Sequence, residues 1–206
     1  MSLYDQLLTT YGTNEPILSS EIEYEGYSRP WLYKELNRLC ESGQLVRYEK
    51  GVYYIPVQTP LGISVLNPGK VIEKKYVRNT EGTIGYYSGV TFLNKLGLST
   101  QMPNIIEIFT NNETAKVREV TVGKQKVILR KARTPITADN AAIQSFLELM
   151  NSVPASFFNE ERKALTAQYI TQNNITRKAI TKYAPAFPDK AMRTMIESEV
   201  IYSVAQ

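Results

Sequence analysis

The 206-residue chain contains no histidine and a single cysteine, Cys40. Without an imidazole, Ser–His and Cys–His nucleophile pairs and most zinc sites are excluded. One cysteine cannot close an internal disulfide. Carboxylates remain, but Asp139, Glu148, Glu160 and Glu161 are scattered rather than paired. Ser88-Gly89 is not followed by the closely spaced aspartates that a nucleotidyltransferase needs for metal ions. No phosphate-cradling loop of the Walker type occurs. The reading is a protein that is not an enzyme and has no cofactor or metal. No stretch approaches the ~18 uninterrupted apolar residues of a membrane span. The opening MSLYDQLLTT lacks the basic start and apolar core of a signal peptide. A cytoplasmic protein is expected.

What is present is an uneven distribution of charge. The formal net charge is +4. Residues 1–60 hold five basic and eight acidic groups, residues 61–135 twelve basic and five acidic, and residues 136–206 seven of each. A basic middle points either to a polyanionic partner or to a solvated charged face.

The first segment, SLYDQLLTTYG, puts Leu3, Leu7, Leu8 and Tyr11 on one helical stripe, with Ser2 as N-cap and Gly12 as stop. LSSEI is long enough only for a short helix, and EYEGY reads as a turn. In SRPWLYKELNRLCESG, Ser28 caps a helix and Pro30 is tolerated in its first turn. Leu32, Leu36, Leu39 and Cys40 fall on one side; Trp31, Lys34, Asn37 and Arg38 fall on the other. Gly43 ends the helix. QLVRY and VYYIP then form a hairpin turning at Gly51. Three helices followed by a hairpin is the winged helix-turn-helix arrangement, in which the free face of the third helix meets the DNA major groove.

VQTPLGISVLNPGK, with two prolines and two glycines, reads as a linker. Beyond it the pattern is mixed: a short helix in SGVTFLNKLGLS, strands in NIIEIFTN and REVTVGKQKVILRKAR, the latter a hairpin turning at Gly123-Lys124, and a helix opened by Thr137 and Asp139. After Pro154 the chain is mainly helical. The expected fold is α+β: a winged helix-turn-helix over residues 1–58, then a mixed α/β domain with a helical C-terminal part over residues 59–206.

The stretch LNRLCESGQLVRYEKGVYYIP resembles the AbiEi-like antitoxins and regulators of type IV (abortive infection) toxin–antitoxin systems. Arg38-Leu39, Gly43, Leu45-Val46-Arg47 and Gly51-Val52-Tyr53 carry the match. IGYYSGVTFLNKLGLSTQMP and KYAPAFPDKAMRTMI follow in the same order. The resemblance implies a DNA-binding antitoxin that represses its own operon. Its functional partner would be a nucleotidyltransferase-like toxin, countered without a stable complex. The chain would be a monomer or homodimer and, as a repressor, would occupy the operator in two copies. The net acidic first third departs from strong non-specific DNA binding. The alternative is an RNA- or protein-binding module in which the winged helix serves interaction.

The DNA-contact candidates are Ser28, Arg29, Trp31, Lys34, Asn37, Arg38, Arg47 and Lys50. Arg suits guanine and Asn suits adenine, and Lys50 at the tip suits phosphate. Trp31 has two readings, a base methyl or sugar contact, or packing against the turn. Lys70, Lys74, Lys75 and Arg78 form a basic run that would either extend a nucleic-acid or partner surface or form a charged strand face. Lys124, Lys126 and Arg130, with Lys131 and Arg133, form a second set; the first three share a face at period two. Cys40 reads as buried packing.

Overall fold

The computed structural model describes residues 2–24, 26, 28–101 and 103–204. Glu25 and Tyr27 of the EYEGY turn therefore lie outside the described residues. The fold is mixed α+β. It divides into two compact units, Met1–Lys75 with Val122–Lys124 and Tyr76–Thr121 with Gln125–Gln206.

In the first unit, helix α1 spans Leu3–Tyr11. The Ser2 hydroxyl accepts the Asp5 amide while the Asp5 carboxylate accepts the Ser2 amide, a reciprocal cap. Leu3 and Leu7 are buried, whereas Leu8, expected on the same stripe, is 39% exposed. The short helix expected in LSSEI is absent. Ile17–Leu18 is instead a two-residue strand, β1, and Ser19–Glu21 is a turn. Pairing with a distant strand outweighs local propensity here. Helix α2, Arg29–Glu41, is capped by Ser28, whose hydroxyl accepts the Trp31 amide at 3.4 Å. The chain reverses at Gly43, φ 73°, and the Leu45 amide donates back to the Leu39 carbonyl.

Strands β2 (Val46–Glu49) and β3 (Val52–Tyr54) form the expected hairpin, with Gly51 at φ 78°. Val46 pairs with Tyr54 and Glu49 with Val52, across an irregularity between Arg47 and Glu49. Ile17 and Leu18 pair with Tyr53 and Val52, which gives a sheet of order β1-β3-β2. Leu3, Leu7, Ile17, Leu32, Leu36, Leu39, Leu45 and Ile55 close the core over it.

The stretch read as a linker is structured. β4 (Gln58–Thr59) and β5 (Gly62–Ile63) pair as a small hairpin, and helix α3 follows at Pro68–Tyr76. The Tyr54 hydroxyl donates to the Ser64 carbonyl at 2.9 Å, and the Ser64 hydroxyl donates to Asn14 Oδ1. Leu66, Val71 and Ile72 are fully buried. These ties explain why the first unit runs to Lys75 rather than stopping at residue 58.

In the second unit, the ribbon β6 (Arg78–Asn79) and β7 (Gly82–Thr83) precedes a four-stranded sheet. Its members are β8 (Gly85–Ser88), β9 (Ile105–Thr110), β10 (Val117–Val122) and β11 (Gln125–Lys131), in the order β10-β11-β9-β8. β9 runs parallel to β11 and antiparallel to β8. Helix α4 (Gly89–Lys95) and helix α5 (Ala141–Ser152) pack on β8. Thr137 and Asp139 precede α5 rather than cap it: Asn140 is the N-cap, and its Oδ1 accepts the Thr137 amide at 2.8 Å. Helices α6 (Glu160–Gln172), α7 (Arg177–Tyr183) and α8 (Asp189–Glu197) complete the unit. Phe146, Leu147, Met150, Ile170, Ile180 and Met195 anchor its core. No helix among the described residues is long and apolar enough to cross a membrane.

Candidate functional site

The apolar stripe of α2 faces its core, so its polar face is left outward. Lys34, Asn37 and Arg38 are exposed there and line a shallow groove of about 520 Å3 with Trp31, Glu35 and Glu41. Two cations face two carboxylates, so the groove is close to neutral. Arg38 is already paired. Its Nε donates to both carboxylate oxygens of Glu35, at 3.1 and 3.0 Å. That hydrogen bond holds the Glu35 carboxyl below its ordinary range and raises the Arg38 guanidinium further. Among the described residues Lys34 and Asn37 make no ion pair or side-chain hydrogen bond.

Three of the expected contact residues have structural roles. Ser28 caps the helix. Arg29 Nη1 donates to the Ser19 and Ile22 carbonyls at 2.9 and 3.2 Å, and Nη2 to the Ser20 carbonyl at 3.2 Å. Its guanidinium thus ties α2 to the turn after β1. Trp31 is half-buried and stacks on Tyr24, ring centroids 5.4 Å apart. It packs against the turn and also borders the α2 groove. On the hairpin, Arg47 and Lys50 are exposed, the latter in the turn before Gly51. Tyr53 and Tyr54 are buried as hairpin packing. Cys40 is half-buried, and burial pushes its thiol up, which leaves it protonated at neutral pH.

The basic run 70–75 is a helix, not a strand face, and its charge is consumed inside the first unit. Lys70 pairs with Glu15, Lys74 with Glu21 at 2.9 Å, and Lys75 with Glu49 at 2.7 Å. The acidic character of residues 1–60 is thus partly neutralised by the lysines that follow. Arg78 is exposed on β6 in the other unit.

The second basic set divides as well. Lys124 is exposed in the turn between β10 and β11 and falls outside the strand. Lys126 and Arg130 share a face of β11. Lys126 lies 3.7 Å from Glu119, both largely exposed. Arg130 donates through Nε and Nη2 to Glu107 Oε2, at 3.2 and 3.1 Å. Arg133 donates to Glu148 on α5, with Nε 2.8 Å from Oε2 and Nη2 3.3 Å from Oε1, and lies over the Phe109 and Phe187 rings.

Arg130 and Arg133 with Phe109 line two adjoining hollows of the second unit. One, of about 450 Å3, adds Lys116 and Lys131. The other, of about 320 Å3, adds Ser88, Gly89, Glu107, Glu148 and Asn151. The grouping of Ser88 and Lys116 with Arg130 had no signal in the sequence, because these residues meet only through the strand order. Nearby, the buried Tyr86 hydroxyl has no hydrogen-bond partner among the described residues, and its burial raises its pKa far above the ordinary tyrosine value. Among the described residues no group of three or more His, Cys, Asp or Glu side chains could hold a metal ion.

These features define a two-unit α+β protein with exposed cations on a helix-and-hairpin surface in one unit and cations lining a cleft in the other. The chain belongs to DUF6088, a family of unknown function that matches residues 22–152, from the turn before α2 to the end of α5. No curated protein matches the chain.

Proposed function

We propose that the first unit is a variant winged helix, with two helices rather than three before its hairpin among the described residues, that reads operator DNA through α2 and the β2–β3 hairpin. The observation that carries this reading is the exposure of Lys34, Asn37 and Arg38 on one face of a well-capped helix, with Arg47 and Lys50 on the neighbouring hairpin. Asn37 and Arg38 can read bases bidentately, and Lys34, Arg47 and Lys50 can hold phosphates. Ser28, Arg29 and Trp31 serve by positioning α2. The protein then acts as the antitoxin of a type IV system: it represses its own operon and counters a nucleotidyltransferase-like toxin. The resemblance over residues 36–56 supports that role.

The test is a fluorescence-anisotropy titration against the DNA upstream of the protein's own gene, with scrambled DNA as competitor, at two salt concentrations. Selective binding that survives the higher salt is expected. Weak binding without selectivity that vanishes with salt leaves only charge attraction and overturns the reading. For the antitoxin role, co-expression with the product of a neighbouring nucleotidyltransferase-like gene should restore growth; continued arrest overturns it. The near-neutral groove on α2, with Arg38 held by Glu35, favours a second reading in which this surface docks a protein. Partner capture that needs α2 in a protein without DNA selectivity is its signature.

A further inference from the structure

We propose that the cleft of the second unit binds a small phosphate ester whose neutral body carries hydrogen-bond donors, the chemistry shared by nucleotides and sugar phosphates. The inference is independent of the DNA reading, since every residue it uses lies in the second unit.

One hollow of the cleft gathers Lys116, Arg130, Lys131 and Arg133 around Phe109, and among the described residues no carboxylate lines it. Arg130 and Arg133 are each paired with a glutamate of the adjoining hollow, so Lys116 and Lys131 carry the net positive charge that attracts a phosphate, which guanidinium and ammonium groups bind by charge-assisted hydrogen bonds. The two arginines are held in place. Arg130 is fixed by Glu107, and Arg133 by Glu148 and two aromatic faces.

The adjoining hollow has a different chemistry. Glu107 and Glu148 line it, each neutralised by its arginine. Both Arg130 bonds go to Oε2 of Glu107. Oε1 lies over Gly89, 2.8 Å from where a Cβ would stand, so glycine is what leaves room for the carboxylate. Ser88, which lines the same hollow, is only 5% exposed, and its hydroxyl has no hydrogen-bond partner among the described residues. A buried hydroxyl without a partner is costly, and a ligand seated in the cleft supplies one. A bare anion would satisfy the cations of the first hollow and leave Glu107 Oε1 and Ser88 unused. A phosphate ester with hydroxyl or amino donors matches both hollows at once.

The experiment is isothermal titration calorimetry on the full chain with the four nucleoside 5′-monophosphates, ribose 5-phosphate and inorganic phosphate. Saturable binding of at least one ester, about tenfold tighter than inorganic phosphate, is expected. Preference for a nucleotide over ribose 5-phosphate marks a nucleotide site, and the reverse marks a sugar-phosphate site. Lys131→Ala should weaken the ester and inorganic phosphate alike. Ser88→Ala should weaken the ester alone, with a melting temperature no lower than the parent's. Lys178→Ala, exposed on α7 and outside the cleft, should change nothing. The proposal is overturned if no ester saturates, if inorganic phosphate binds as tightly as every ester, or if Lys178→Ala weakens binding as much as Lys131→Ala.

Discussion

Arg38 lies against Glu35 one helical turn away on the exposed face of α2, its Nε within 3.1 Å of both carboxylate oxygens. An arginine so paired reads a base only after leaving its partner. If α2 reads an operator as proposed, Glu35→Gln should free the guanidinium and raise operator affinity, while Arg38→Ala should lower specific affinity by about 1–3 kcal/mol and relax sequence preference at one position. Anisotropy titrations of the two variants check this pair of opposite signs. Unchanged affinity in both removes Arg38 from the contact surface.

Lys50 stands in the hairpin turn, exposed. Lys50→Ala should weaken all DNA sequences alike and reduce the slope of log affinity against log salt by about one. A loss confined to the operator would instead make Lys50 a base-reading residue.

Arg29 behaves differently from its neighbours on α2. It donates to three carbonyls of the 19–22 turn. Arg29→Ala should cost about 1–3 kcal/mol of stability. Urea melts of the first unit's transition report this cost. A variant as stable as the parent would return Arg29 to the list of groups available to DNA.

Gly85, at the start of β8, is needed for a steric reason. A Cβ there would stand 2.0 Å from the Tyr76 carbonyl oxygen and 2.7 Å from that of Phe109. Both obstacles are backbone, which cannot rotate away. Gly85→Ala should cost about 3 kcal/mol or more, at or above the upper end of ordinary overpacking. Thermal denaturation or loss of soluble expression reads this out, and a parent-like melting temperature contradicts it.

Glu113 gives the fold an acid-sensitive point. Its carboxylate accepts the Thr114 and Ala115 amides at 2.9 and 3.0 Å and Arg118 Nε at 2.6 Å. The Ala115 bond first, then the Arg118 guanidinium, hold its pKa below the ordinary range. A depressed folded pKa contributes stability above the unfolded value of about 4.3, lost as pH falls through the folded value. The parent should lose stability from about pH 5 downward. Glu113→Gln should be less stable at neutral pH and lose less on acidification. Parallel pH profiles of the two proteins would show that Glu113 does not carry this dependence.

The parts of the fold legible in the sequence are those set by local chemistry. Ser2 and Ser28 as caps, the leucine spacing of α2, and the turns at Gly51 and Gly123-Lys124 each specify their element from a few adjacent residues. β1 was not legible, because Ile17–Leu18 becomes a strand only by pairing with Val52–Tyr53, far along the chain. The same holds for charge. Lys70, Lys74 and Lys75 read as attraction for a polyanion, yet their partners Glu15, Glu21 and Glu49 come from remote segments. On the α2 surface the sequence places Lys34 and Asn37 outward, as the structure does, but nothing local reveals that Arg29 is spent on backbone carbonyls. The cleft is built from strand order: Ser88 and Arg130 reach it from β8 and β11, with β9 between them.

Helix α3 also bears on how the chain is cut. Trypsin cleaves after lysine and arginine, and it needs a segment that opens easily. The string Lys70, Lys74, Lys75 lies in a region whose prolines and glycines suggest an accessible joint. Here it is helical, with Val71 and Ile72 buried and each lysine engaged by a glutamate. A limited digest therefore leaves residues 57–75 attached to the first unit.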